Sequence, residues 1–300
     1  MPLLLKTVSA SQGSRWVGDA FRLFARRPMG FMLLSLSFFV AAMLMRQLPV
    51  FFAPLPLMAM PLLSLGFMVA AQSALLKGKV GPAQFVEPLR GDPVRRRSLI
   101  TLCVGYGLAL LLIVLLVDAI SGQAWGRMQA LIPKGEAAQA EVEAIMSEAR
   151  VRSATLLGLV LSALLSVPYW HAPALVHWGA HGAKQALFSS TVAVWRSKGA
   201  FALYMATWMG VLLGVTLTAA TLMQLVGLEA WIPLLSLPLG LLFSAVFYIS
   251  VLFTFNDSFG GAIPPVLAPE TPEAPERSEL IEAPPVPPQP PAPPAPPAAP

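Results

Sequence analysis

Apolar residues recur along this chain in runs longer than the core of a water-soluble fold uses, and short basic stretches separate them. Crossing ~30 Å of hydrocarbon at 1.5 Å per residue takes about 20 mostly apolar residues. Six segments meet that requirement, near 28–45, 51–76, 99–117, 153–170, 201–226 and 231–255. Unpaired backbone groups are costly in lipid, so each segment is expected to be a helix. Pro54, Pro56 and Pro61 interrupt the second, where residues 48–61 read as a kinked entry or a re-entrant stretch. Pro168 and Pro173 are expected to bend the end of the fourth.

The polar positions between these runs carry their own periodicity. Over residues 14–27, Arg15, Asp19, Arg22 and Arg26 share one helical stripe, while Trp16, Val17, Ala20, Phe21 and Phe24 cover the other side. That pattern predicts an amphipathic interfacial helix on the cytoplasmic face, an anchor whose Arg15, Arg22 and Arg26 contact anionic lipid. A similar element precedes the fifth span, where Phe188, Thr191, Val192 and Trp195 recur at helical spacing. Setting Phe31 against Phe201 aligns Arg26 with Arg196 and Leu33 with Leu203, which suggests duplication of a unit made of one interfacial and one spanning helix. Residues 135–154 predict a short amphipathic cap extending the fourth span, with a Glu148–Arg152 pair at i, i+4.

Composition fits this layout. The 300 residues are 56% apolar and 12% charged, about half the usual charged share of roughly 25%, with mean hydropathy +0.69. Of the 30 prolines, 16 fall in residues 264–300. Residues 258–300 are therefore expected to be a disordered, proline-rich, polyproline II spacer whose PxxP runs offer a protein partner a docking segment. Residues 1–13 are expected to be disordered as well. Their three-leucine cluster is too short for a cleavable signal, so the first span is expected to act as the insertion signal.

Lys and Arg give the direction. With both termini cytoplasmic, 15 of the 20 basic residues fall on the cytoplasmic side and 5 outside. Trp125, Trp170, Trp178, Trp195 and Trp231 fall at helix ends, where the headgroup region favours an amphipathic ring; Trp208 is the exception.

Candidate chemistry is sparse. Cys103 is the single cysteine, lies in an apolar run, and is expected to be a small buried side chain. His177 and His181, four apart and near His171, have the spacing of a metal or haem pair, with no nearby carboxylate or thiol to complete a site. Interfacial polar side chains are the expected role of all three. Met43, Met45, Met58 and Met60 read as packing residues. Asp118 and Arg46 sit at span ends, so no ionisable group marks an ion pathway through the bilayer. Small residues at Gly210, Gly214 and Thr218, and at Ala154, Gly158, Ser162 and Ser166, predict close helix packing within the monomer rather than homodimerisation. No hydrolase, metalloprotease or phosphate-loop motif is present, and no nucleic-acid-binding pattern.

Trp170-His-Ala-Pro-Ala-Leu-Val176, Ala186-Leu-Phe-Ser189, Trp195-Arg196 and Phe201, with Trp16 to Phe24, Arg27-Pro28 and Ser64-Leu-Gly-Phe67, resemble a family of uncharacterised proteobacterial multi-pass inner-membrane proteins. The likeness covers about residues 14–255. It implies no catalytic, cofactor or metal residue, and His171 stands where the family pattern suggests another aromatic. The expectation is an all-α polytopic inner-membrane protein, non-enzymatic, with no cofactor and its biochemical role not legible. The alternatives are a transporter or permease subunit for a hydrophobic or lipid-like substrate and, second, a haem or metal membrane protein.

Overall fold

A computed structural model describes residues 4–45, 47, 54–131, 133, 135, 138–228 and 231–260. The expectations for residues 48–53 and for the proline-rich tail beyond residue 260 lie outside the described residues. The helices are α1 (Gln12–Arg26), α2 (Pro28–Met45), α3 (Leu55–Met58), α4 (Met60–Leu75), α5 (Pro93–Ile120), α6 (Ala124–Gln129), α7 (Gln139–Ser147), α8 (Ala149–Tyr169), α9 (Ala172–Gly179), α10 (Ala183–Arg196), α11 (Lys198–Val226) and α12 (Ile232–Phe259). Among the described residues there is no strand. The fold is all-α.

Local chemistry sets the helix ends. Arg27 leaves the helical region (φ −144°, ψ 52°) because Pro28 follows it, so α1 and α2 meet at a one-residue break. Asp92 caps α5 by accepting from the Val94 amide at 3.1 Å, with Pro93 in the first turn. Gly227 ends α11 in the left-handed region (φ +70°), and Leu228 N donates to Met223 O at 2.8 Å.

α2, α5, α8, α11 and α12 are each long and apolar enough to cross a membrane. α4 alone has 16 residues and spans roughly 24 Å, short of the ~30 Å hydrocarbon layer. The four-residue α3 precedes it, separated only by Ala59, so over the described residues 54–61 the helix leading into α4 is interrupted at Ala59. Leu112, Leu156, Leu159 and Leu217 are all more than 60% exposed on outward faces, as lipid-facing side chains must be.

The core gathers at the end where α1, the α4 C-terminus and the α12 C-terminus meet. α1 does not lie free at the interface as its amphipathicity predicts. Its apolar face packs against α11 and α12, and Trp16, Ala20 and Leu23 are at most 2% exposed. Protein therefore covers that stripe more completely than headgroups would. The leader is docked rather than disordered over residues 4–8: Leu4 N and Lys6 N donate to Phe259 O and Ser258 O, and Val8 N donates to Ser197 Oγ at 3.1 Å. α12 also continues through Phe259, past the expected start of the tail at 258.

The suggested duplication has a structural counterpart. α10 and α11 repeat the helix, one-residue break and spanning helix of α1 and α2, with Ser197 at the place of Arg27. Arg27 O accepts from Phe31 N, and Ser197 O accepts from Phe201 N, both at 3.2 Å. The buried positions Trp16, Ala20, Leu23, Phe31 and Leu34 match Ala186, Ser190, Ala193, Phe201 and Tyr204.

Candidate functional site

Polar groups enter the core chiefly on α12, where Ser250, Thr254 and Ser258 recur every four residues on one buried face. Thr254 donates its hydroxyl proton to Val251 O at 2.8 Å and so can only accept from its other neighbours. Trp170 Nε1 donates to it at 3.2 Å, and His171 Nε2 lies at 3.1 Å. Nε2 must therefore carry the imidazole proton. Tyr204 OH donates to Ser250 Oγ at 2.6 Å, since that serine spends its own proton on Phe247 O. Trp16 Nε1 donates to Asp257 Oδ2 at 2.8 Å, fixing α1 to α12.

Ser190 of α10 fills a gap in another helix. Its hydroxyl donates to Val167 O at 3.0 Å and accepts from His171 N at 3.0 Å. Those two backbone groups would bond each other in an unbroken helix. The inserted hydroxyl satisfies both and holds the bend between α8 and α9, where Pro168 and Pro173 predict one.

His171 is consequently a core residue, 0% exposed and edged by Phe201, Phe255 and Phe259, rather than an interfacial side chain. Its apolar surroundings would equally suit an aromatic ring. His177 ends α9, and His181 lies beyond left-handed Ala180 (φ +52°), so the two do not share a helical face. No cluster of three or more His, Cys, Asp or Glu suited to a metal occurs among the described residues. Met58 packs on Gly107, and Met60 Sδ accepts from Tyr248 OH at 3.8 Å. Cys103 is half-buried.

Trp170 and Trp178 are likewise drawn into the core, against Phe201, Tyr204 and Phe247 and against Phe255. Trp125, Trp195 and Trp231 stay exposed at helix ends. α10, not α1, presents a free aromatic stripe: Phe188 is 71% and Trp195 74% exposed, with Lys198 Nζ 5.6 Å from the Trp195 ring. Arg15, Arg22 and Arg26 are exposed on α1, and Arg22 pairs with Asp19 at 2.8 Å.

The small face of α8 packs on α5, with Gly158 against Val117. Among the described residues the Gly210 and Gly214 face of α11 meets no packing partner: a Cβ at either would meet nothing within 4 Å. Two cavities lie end to end along the α5–α8 seam. The inner, about 170 Å³, is lined by Tyr106, Tyr169, Trp170, Phe247 and Tyr248 with Ser64 and Ser166. The outer, about 390 Å³, lies between Leu110 to Ser121 of α5 and its C-cap and Val151 to Ser162 of α8, under α6 and α7. Tyr106 and Leu110, and Ser166 and Ser162, are each one turn apart, so the cavities share both walls.

Above the outer cavity, Glu148 breaks α7 from α8 and pairs with Arg127 at 2.6 Å and Arg150 at 2.8 Å, not with Arg152. At Glu148 the chain is extended (ψ 131°), which turns the carboxylate toward α6. Hydrogen bonds from Arg127 and Arg150 hold its carboxyl down from the ordinary 4.5 to about 2.

No family model and no solved structure matches the chain. It is similar to the "Probable inner membrane protein" of Burkholderia thailandensis, with 31% identity over 254 residues, which cover 84% of this chain and 93% of the relative. Both the lipid-facing helices and this likeness place the chain in the inner membrane as an integral multi-pass protein. The chain belongs to this family of proteobacterial inner-membrane proteins.

Proposed function

We propose that the protein is a non-enzymatic structural component of the inner membrane, with both termini cytoplasmic and its basic end seated on anionic headgroups. The distribution of charge carries this reading. Of the described Lys and Arg residues, only Arg127, Arg150 and Arg152 lie at the α6–α7 end, and the other fourteen lie at the end where α1, α10 and the α12 C-terminus meet. There α10 offers Phe188 and Trp195 to the headgroup zone with Lys184, Arg196 and Lys198 beside them, and α1 offers Arg15, Arg22 and Arg26. The buried polar groups serve packing: Tyr204 is bonded to Ser250, Trp16 to Asp257 and His171 to Thr254.

Reporter fusions test the orientation. A phosphatase fused after Asp257 is expected to be inactive and one fused within the α6–α7 connection active; activity after Asp257 overturns the reading. Quenching of Trp195 by headgroup-level spin labels, stronger in vesicles containing phosphatidylglycerol than in pure phosphatidylcholine, tests the seating.

A second reading, handling of a lipid-like molecule, is favoured by the two cavities stacked along the α5–α8 seam. Movement of labelled lipid between leaflets of reconstituted vesicles tests it.

A further inference from the structure

We propose that the outer half of the α5–α8 seam is a groove for one acyl chain of an aminophospholipid, with the Asp118 carboxylate receiving the headgroup ammonium. The inference rests on the lipid-handling reading and names its ligand. The groove runs from Val151 to Ser162 along α8, roughly 17 Å at 1.5 Å per residue, which is about one leaflet of a ~30 Å hydrocarbon layer. A chain entering at the outer interface is thus walled to about the bilayer midplane. Met128 and Met146 from α6 and α7 add adaptable side chains at the mouth.

The mouth carries an acidic side chain, with a guanidinium nearby against Gly122. Asp118 lines the cavity, and its Oδ1 is buried without a hydrogen-bond partner among the described residues. A buried acceptor without a donor is costly, so a ligand that supplies one is favoured there. Arg150, held through Nε by Glu148, lays its guanidinium against Gly122, four residues beyond Asp118. The carboxylate suits the ammonium of an ethanolamine headgroup, and the guanidinium against Gly122 offers a donor toward its phosphate. A primary ammonium has three hydrogen-bond donors, whereas the quaternary ammonium of choline has none, so the site selects the former.

The full chain is reconstituted in nanodiscs of phosphatidylcholine with a minor share of phosphatidylethanolamine and read by native mass spectrometry. One retained phosphatidylethanolamine per chain is expected, enriched about tenfold over its bulk share, as one charge-assisted hydrogen bond provides. Asp118→Asn, of the same shape, is expected to abolish that enrichment. Leu110→Trp, or Ser162→Leu from the opposite wall, is expected to abolish retention, and Leu159→Trp on the lipid-facing side of α8 to leave it intact. Circular dichroism and monodispersity establish that each variant is folded. No retained lipid, equal retention of both headgroups, or undiminished enrichment in Asp118→Asn overturns the proposal. Retention without movement of lipid between leaflets in vesicles supports the groove and removes the transport reading alone.

Discussion

The backbone amide of His171 donates to the hydroxyl of Ser190 at 3.0 Å, across from α9 to α10, instead of to the carbonyl four residues before it. One side chain thereby closes a break in a neighbouring helix and sets the direction in which Trp170 and His171 enter the core. Ser190→Ala leaves the buried His171 N–H without a partner and Val167 O with only the longer bond from Trp170 N at 3.4 Å. The expected cost is about 2 kcal/mol, read from thermal unfolding in detergent, with altered tryptophan fluorescence as the bend relaxes. An unchanged unfolding midpoint would show that Val167 and His171 bond each other when the hydroxyl is removed.

Thr254 is a shared acceptor for Trp170 and His171, so the three residues are energetically coupled. Thr254→Val is expected to destabilise the fold by about 1–3 kcal/mol by leaving both donors unpaired. His171→Phe places an aromatic ring among Phe201, Phe255 and Phe259 and removes one of those donors. The double variant should therefore lose less than the two single losses added together, and simple additivity in a double-mutant cycle would count against the coupling.

Close approach of α1 to α11 depends on Gly13, where a Cβ would run into the backbone of Ala200 and Tyr204. Gly13→Ala is expected to loosen α1 from the bundle and expose Trp16, shifting its emission to the red. Gly214→Ala, whose Cβ would meet nothing within 4 Å among the described residues, should be neutral or slightly stabilising through helix propensity, by up to about 1 kcal/mol. Destabilisation by Gly214→Ala would reveal a neighbour for the small-residue face of α11.

Glu148 gives the outer cap its pH dependence. Arg127 and Arg150 depress its folded-state pKa to about 2, against an ordinary value near 4.5. Because the folded value is the lower one, its stabilisation is fully present above the ordinary carboxylate range and is lost as pH falls from there toward 2. Amide exchange of α6 and α7 should quicken over that interval. Glu148→Gln should show the faster exchange already at neutral pH and no further change on acidification.

Much of the architecture is legible in the residues themselves because lipid imposes a simple demand. Backbone groups must be paired within the segment, and a run of about 20 apolar residues can meet that only as a helix. The spans, the breaks at Arg27-Pro28 and in the entry to α4, the bend after Pro168 and the repeated helix pair all follow from spacing and proline chemistry. The ends of the apolar stripes were harder to place. Amphipathicity states that the Trp16 face of α1 and the Trp195 face of α10 must each be covered, and the same pattern serves headgroups or protein equally well.

Tertiary structure decided between them. Docking of α1 between α11 and α12 buries Trp16 and leaves Trp195 outside, a choice made by Gly13 and by Asp257, which stands 241 residues from its partner Trp16. It also turned His171 inward, gave Glu148 two arginines in place of Arg152, and stacked the two cavities along the α5–α8 seam. A single chain read in order carries its own local periods, but not which distant element meets each face. The sequence by itself determined that this protein spans the membrane as helices with a basic end; the packing determined which polar groups are satisfied inside and where cavities open along the α5–α8 seam.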